Sequence, residues 1–128
     1  MRKIGIMLLL GACAGGAGGQ LRAKAAQDFK CDPETISTEG VGGWAYYEKA
    51  YGCGKQNWYV YDGQQWVSPL DRAAFEMSCP PEQLQAMAID KTTIGVTGCE
   101  RKGVYVLVPA IGGAKWVLNS TDTASRRQ

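Results

Sequence analysis

Short runs dominate the chain, and an apolar stretch lies near its start, at Ile4 to Leu10, interrupted only by Gly5. That stretch is about a third of what a bilayer-spanning helix needs. Beyond it, each of two helical patterns leads into strand-like segments. "QLRAKAAQDFKC" (20–31) is rich in good helix formers. "SPLDRAAFEMSC" (68–79) adds Ser68 as N-cap, Pro69 in the first turn and Asp71 three residues after the cap. Pro33 and Pro81, each two residues after a helix cysteine, are expected to stop the helices. "QNWYVYDGQQWVS" (56–68) reads as strand, Asp-Gly turn, strand. "GVYVLVPAIGGAKWVLN" (103–119) repeats that reading with a longer loop through Gly112 and Gly113.

These segments belong to two copies of one unit. "AAQDFKCDPETI" (25–36) aligns with "AAFEMSCPPEQL" (73–84), "GCGKQNWYV" (52–60) with "GCERKGVYV" (98–106), and "WV" (66–67) with "WV" (116–117). The alignment resolves one ambiguous segment. "GWAYYEKAYGCG" (43–54) alone suits a helix, but its counterpart "TTIGVTGC" (92–99) is β-branched with a central glycine, so both are read as strands. Each unit is then a helix followed by three or four short strands. A unit of about 45 residues is too small to bury a core by itself. The expected fold is α+β: two tandem repeats, 20–67 and 68–120, forming one antiparallel sheet with both helices packed on one face. Residues 20–120 make a single domain, and the tail 121–128 is expected to be disordered.

The amino terminus gives an address. Arg2 and Lys3, the apolar run, and small Gly11 and Ala12 form a secretory signal over residues 1–12. Leu10-Gly11-Ala12-Cys13 resembles the lipobox of bacterial lipoproteins, and the chain looks like one of the small envelope lipoproteins. The resemblance covers the first 13 residues. It implies cleavage before Cys13, a lipid on its thiol and attachment to a membrane. Each buried methylene contributes about 0.8 kcal/mol, so two or three acyl chains on one residue hold firmly. Ala14, rather than aspartate, implies outer-membrane sorting in a double-membraned bacterium. The Gly-rich residues 13–19 are a flexible tether reaching about 25 Å at most, which keeps the domain close to its membrane. The other reading is cleavage after Ala14, which releases a soluble secreted protein.

Export makes the remaining four of the five cysteines candidates for disulfides. Four cysteines allow three pairings, and the duplication is compatible with any of them. Proximity within a unit favours Cys31–Cys53 and Cys79–Cys99. A thiolate metal site is disfavoured: there is no C-x-x-C and no histidine. No cofactor is implied.

Charge and chemistry narrow the function. The chain carries +2, and loss of Arg2 and Lys3 leaves twelve basic against twelve acidic side chains. No basic stripe supports nucleic-acid binding. Lys55, Arg101 and Lys102 read as solvated turn residues. Gly54-Lys55 lacks the upstream glycine and the following Ser or Thr of a phosphate loop. Without histidine there is no Ser-His or Cys-His pair, and Glu34 and Glu82 read as acids at a helical first turn, so no catalytic residue is assigned. One asymmetry remains: Trp44, Tyr46, Tyr47, Tyr51, Trp58 and Tyr61 have no aromatic counterparts in the second copy. Trp58 and Tyr61 point to opposite faces of one strand. Two readings stay open, a bulkier core in the first copy and an exposed aromatic surface for a cell-wall glycan or an envelope protein. The expected function is a lipid-anchored, non-enzymatic binding or structural module. The alternative is a small secreted enzyme or inhibitor.

Overall fold

The computed structural model describes residues 19–123, with side chains to residue 120. The expected signal peptide, Cys13 and most of the tether lie outside the described residues, as do residues 124–128.

The first unit opens with helix α1 over residues 19–29. Strands β1 (Ser37–Gly40), β2 (Tyr47–Gly52), β3 (Lys55–Tyr61) and β4 (Trp66–Val67) follow. The second repeats the order with α2 (Pro69–Glu76), β5 (Gln85–Asp90), β6 (Thr93–Gly98), β7 (Arg101–Ala110) and β8 (Gly113–Thr123). β8 therefore extends into the stretch expected to be a disordered tail.

The single sheet with helices on one face is overturned. The strands form two separate four-stranded antiparallel meanders, β1-β2-β3-β4 and β5-β6-β7-β8. The physical reason is visible in β3, where four consecutive residues, Asn57 to Val60, are buried. Successive strand residues point to opposite faces, so this strand is covered on both sides. α1 covers one face: Leu21, Ala25, Ala26 and Phe29 cluster with Ile36, Ala50, Tyr59 and Trp66. The second unit covers the other: Tyr47, Trp58 and Val60 share a core with Ala73 and Met77 of α2 and with Ile94, Val96, Tyr105, Leu107 and Trp116. The helices thus serve different sheet faces, and the two units stack. Trp116 joins them, its Nε1 donating to the Val67 carbonyl at 3.0 Å and its ring meeting Tyr47 edge-on at 5.7 Å.

The helix ends also differ from expectation. Each helix stops before its proline, at a left-handed residue: Lys30 (φ 56°) after α1 and Ser78 (φ 51°) after α2. The next N–H closes the end in both copies, Cys31 to the Ala26 carbonyl and Cys79 to the Ala74 carbonyl, as in a Schellman motif. Pro33 and Pro81 instead start short 3-10 turns, Pro33–Thr35 and Pro81–Gln83. The N-terminus of α2 is a capping box. The Asp71 N–H donates to Ser68 Oγ at 3.2 Å, and the Ser68 N–H donates to Asp71 Oδ2 at 2.9 Å.

Disulfides Cys31–Cys53 and Cys79–Cys99 tie each helix end to the turn after its second strand. Both turns are left-handed at two residues, Cys53-Gly54 and Cys99-Glu100, which matches the twist of a two-residue hairpin.

Candidate functional site

Stacking the units leaves a cleft of about 820 Å³ between them. The first unit contributes Asp28, Phe29 and Lys30 from the end of α1, Lys49 and Tyr51 from β2, and Lys55, Gln56 and Asn57 from β3. Leu70 and Asp71 from α2 and Pro81, Glu82, Leu84, Gln85, Ala86 and Met87 form the opposing wall. The cleft exists because β4 pairs only with Val60 and Tyr61 of β3. The earlier residues of β3 therefore have no strand on that side.

Asn57 is the unusual residue. It is fully buried in register with Ala50, on the sheet face that carries Tyr59. Its Oδ1 accepts the Trp58 N–H at 2.9 Å. Its Nδ2 has no acceptor at hydrogen-bonding geometry, although the amide lies near enough to Tyr59 to hold that phenol down slightly. A buried unpaired amide donor is expensive.

Three ammonium groups, Lys30, Lys49 and Lys55, and three carboxylates, Asp28, Asp71 and Glu82, line the cleft. Asp28 Oδ2 accepts the Tyr59 hydroxyl at 2.7 Å, and Lys24 lies 3.6 Å from Asp28 and 3.1 Å from Asp71. Burial pushes the Asp28 carboxyl above its ordinary value, against the opposing pull of Tyr59 and Lys24. The same burial, with the Asp28 charge, raises the Tyr59 phenol. Lys30, Lys49 and Lys55 have no ion-pair partner among the described residues. Lys49 Nζ instead sits 5.6 Å from the Tyr51 ring centroid and 5.4 Å from that of Trp58. Its cross-strand neighbour Glu39 takes the Tyr51 hydroxyl at 3.2 Å, which raises the Tyr51 phenol.

The six aromatics are not brought together. Tyr47 and Trp58 are buried in the core shared by both units, with Trp44 half-buried against it. The Tyr47 hydroxyl donates to the Lys91 carbonyl. Tyr61 is half-buried against the α1 core and meets Trp66 at 5.5 Å and Tyr46 at 6.0 Å. Tyr46 is 60% exposed and Tyr51 38%, on different parts of the surface. Tyr51 alone of the six lines the cleft. Most of the asymmetry is therefore a bulkier core, needed because the first sheet is covered on both faces.

Elsewhere polar groups serve the fold. Glu76 accepts from Arg72 at 2.7 Å and from the Tyr105 hydroxyl at 2.8 Å. Burial pushes its carboxyl up, but these bonds outweigh that effect and the group titrates below its ordinary value. Asp32 accepts the Glu34 N–H at 3.0 Å, capping its 3-10 turn with Glu34 in the first turn. Among the described residues no cluster of three potential metal ligands occurs, and no helix is long and apolar enough to cross a membrane.

Sequence reasoning passed over Asn57 and Lys49. The signal for Asn57 was present: an amide inside the strand run "NWYVY", in register with core positions, where polar residues are rare. No protein-family model, curated protein or solved structure matches this chain.

Proposed function

We propose that this protein is a non-enzymatic module of the bacterial cell envelope, anchored by lipid on Cys13 and acting by binding through its folded domain. The observation that carries the reading is the disposition of the cysteines. Four of the five are joined in two bonds within the units, and the fifth is Cys13 of the lipobox-like Leu10-Gly11-Ala12-Cys13. Disulfides of this kind persist in oxidising compartments, and the signal-like first dozen residues lead to one. The non-enzymatic part rests on the chain having no histidine and on two of the three cleft carboxylates being engaged in structural bonds, Asp28 with Tyr59 and Lys24 and Asp71 in the α2 cap. Ala14 favours delivery to the outer membrane. The ligand is an envelope component, a glycan or a protein.

Mass spectrometry of the mature amino terminus tests the anchor. A diacylglyceryl-modified Cys13 in the membrane fraction, lost in Cys13→Ser, is the expected result. A free amino terminus at Gly15 in the soluble fraction would replace this reading with that of a secreted enzyme or inhibitor.

A further inference from the structure

We propose that the outer face of the second sheet docks a second copy of this chain, face to face, in a two-fold dimer. Its use depends on neither the anchor nor the cleft. The observation behind it lies in β7. Antiparallel strands with one solvated face alternate apolar and polar residues, whereas strands covered on both faces read as continuous apolar runs. β7 reads the second way, with "GVYVLV" at 103–108. Gly103, Tyr105 and Leu107 are buried on the inner face, Tyr105 and Leu107 in the core shared by both units. Val104, Val106 and Val108 alternate with them, are half-buried and belong to neither core. On this outer face Val104 and Met87 flank Gly95, and Val106 lies between Thr93 and Val117. Ile89 lies over Gly95 on the same side. Met87 is 69% exposed, Ile89 60% and Val117 38%. The polar residues Gln85, Thr97, Lys102 and Lys115 stand around this apolar centre. An apolar patch with a polar rim marks an interaction site.

The duplication indicates what covers such a face. Val104, Val106 and Val117 align with Trp58, Val60 and Val67 of the first unit. The register repeats as well, since Val60 pairs with Val67 as Val106 pairs with Val117. In the first unit these residues face the second unit: Trp58 and Val60 lie in the shared core and Val67 packs against it. The same face is thus closed by another unit in one case and left open, among the described residues, in the other. A second chain supplies the missing cover. The inner side of its own second sheet is already spent on its first unit, and the far side of its α1 carries exposed Arg22, Gln27 and Lys30. The outer sheet face itself is what remains apolar, so the contact is isologous, sheet on sheet, and closes at two copies. The centre of the face holds no charge, and Lys102 and Lys115 lie near its ends, where long side chains keep their ammonium groups in water. The four strands have 6, 6, 10 and 11 residues. At about 4.8 Å between strands and 3.4 Å per residue they present about 500 Å² per copy. Two copies then bury about 1,000 Å², the lower bound for a specific interface, so the dimer is weak and depends on concentration.

The test uses residues 14–128, which hold both units and both disulfides, in sedimentation equilibrium from about 1 μM to about 1 mM. A reversible monomer–dimer equilibrium in the micromolar range is expected. In methyl NMR the resonances of Val104, Val106 and Val117 are expected to shift with concentration, while those of Leu21 and Ile36, buried under α1, stay fixed. Met87→Lys alters a side chain already exposed in the monomer and is expected to weaken the dimer about tenfold. Val106→Lys places an unpaired charge in the interface and is expected to leave only monomer. Val106→Thr keeps the branched shape and strand preference, and is expected to weaken the dimer with an unchanged circular dichroism spectrum. Gln27→Lys, on the exposed side of α1, is expected to leave the dimer intact. Monomer throughout the range, a dimer untouched by Met87→Lys and Val106→Thr, or a dimer lost in Gln27→Lys would overturn the proposal. Growth beyond the dimer would overturn its two-fold geometry. A monomer that binds phospholipid vesicles, and loses that binding in Val106→Lys, would reassign the face to a lipid surface. Each outcome is read on a chain without Cys13, so failure here is distinct from failure of the anchor.

Discussion

Trp116 is where the stacking of the two units is most open to challenge. The side chain is 1% exposed. Its indole N–H reaches the Val67 carbonyl at 3.0 Å, its ring packs on Tyr47 at 5.7 Å, and its own carbonyl accepts from Arg72 at 3.0 Å. Two of these contacts cross from the second unit to the first. Truncation in Trp116→Ala is expected to cost about 3–5 kcal/mol for a buried tryptophan, with the orphaned Val67 carbonyl contributing to the upper end. Domains of this size have total stabilities of about 5–15 kcal/mol, so the variant is close to marginal. With a urea m-value of about 1.5 kcal/mol/M, the midpoint falls by about 2–3 M. The assay is urea unfolding followed in parallel by far-UV circular dichroism and by tryptophan fluorescence, which in the variant comes from Trp44, Trp58 and Trp66. Because the first sheet needs the second unit to cover Tyr47, Trp58 and Val60, both signals are expected to move together in one transition. Trp116→Phe keeps most of the ring, loses the donor, and is expected to cost about 1–3 kcal/mol. A Trp116→Ala protein whose remaining tryptophan fluorescence keeps the wild-type midpoint would refute the shared core.

Three further outcomes follow from the geometry. Removing either disulfide as a double alanine variant is expected to cost about 3 kcal/mol, from loop closure alone, seen as a drop in Tm of about 12–24 °C. Cys79→Ala with Cys99→Ala is expected to be the more damaging pair, because Cys79 is 3% exposed in the shared core whereas Cys31 is only half-buried; the reverse order in calorimetry would contradict the packing. Glu100 holds a left-handed φ of 61° where the first unit has Gly54 at 76°, so Glu100→Gly is expected to stabilise by up to about 1 kcal/mol, and a lower Tm would show that the glutamate side chain makes up the strain. Burial raises the Asp28 carboxyl, so the folded protein keeps that proton to higher pH than the unfolded chain. Its contribution to stability is then fullest below the ordinary carboxylate value and declines as pH climbs through the folded value. Asp28→Asn is expected to flatten this decline above the ordinary carboxylate value in urea midpoints, and an unchanged profile would exclude Asp28 as its source.

The candidate site was only partly legible. Lys55 is legible as a turn residue, but nothing in the spacing indicates that Lys24 engages both Asp28 and Asp71, since those acids are four residues and 47 residues from it. The aromatic asymmetry was legible as composition and misleading as a surface. An aromatic excess in one copy marks extra buried area, and whether that area meets water or protein depends on what the other copy does.

What the chain by itself determined is whatever local chemistry can dictate: the duplication, the capping box at Ser68 and Asp71, the hairpin at Asp62-Gly63, the strand character of Tyr47–Gly52. Such features depend on neighbours a few residues away and appear in both copies wherever the residues match. The arrangement of layers was decided only by tertiary structure. A period of two tells which residues of β3 share a face, not what covers each face, and one four-residue run, Asn57 to Val60, is buried because α1 covers one side and the second unit covers the other. Strand edges pair where the intervening chain lets them meet. α2 leaves the edge at β4 and carries the chain across the first sheet, so β5 begins a new meander and the cleft opens at the step between the two.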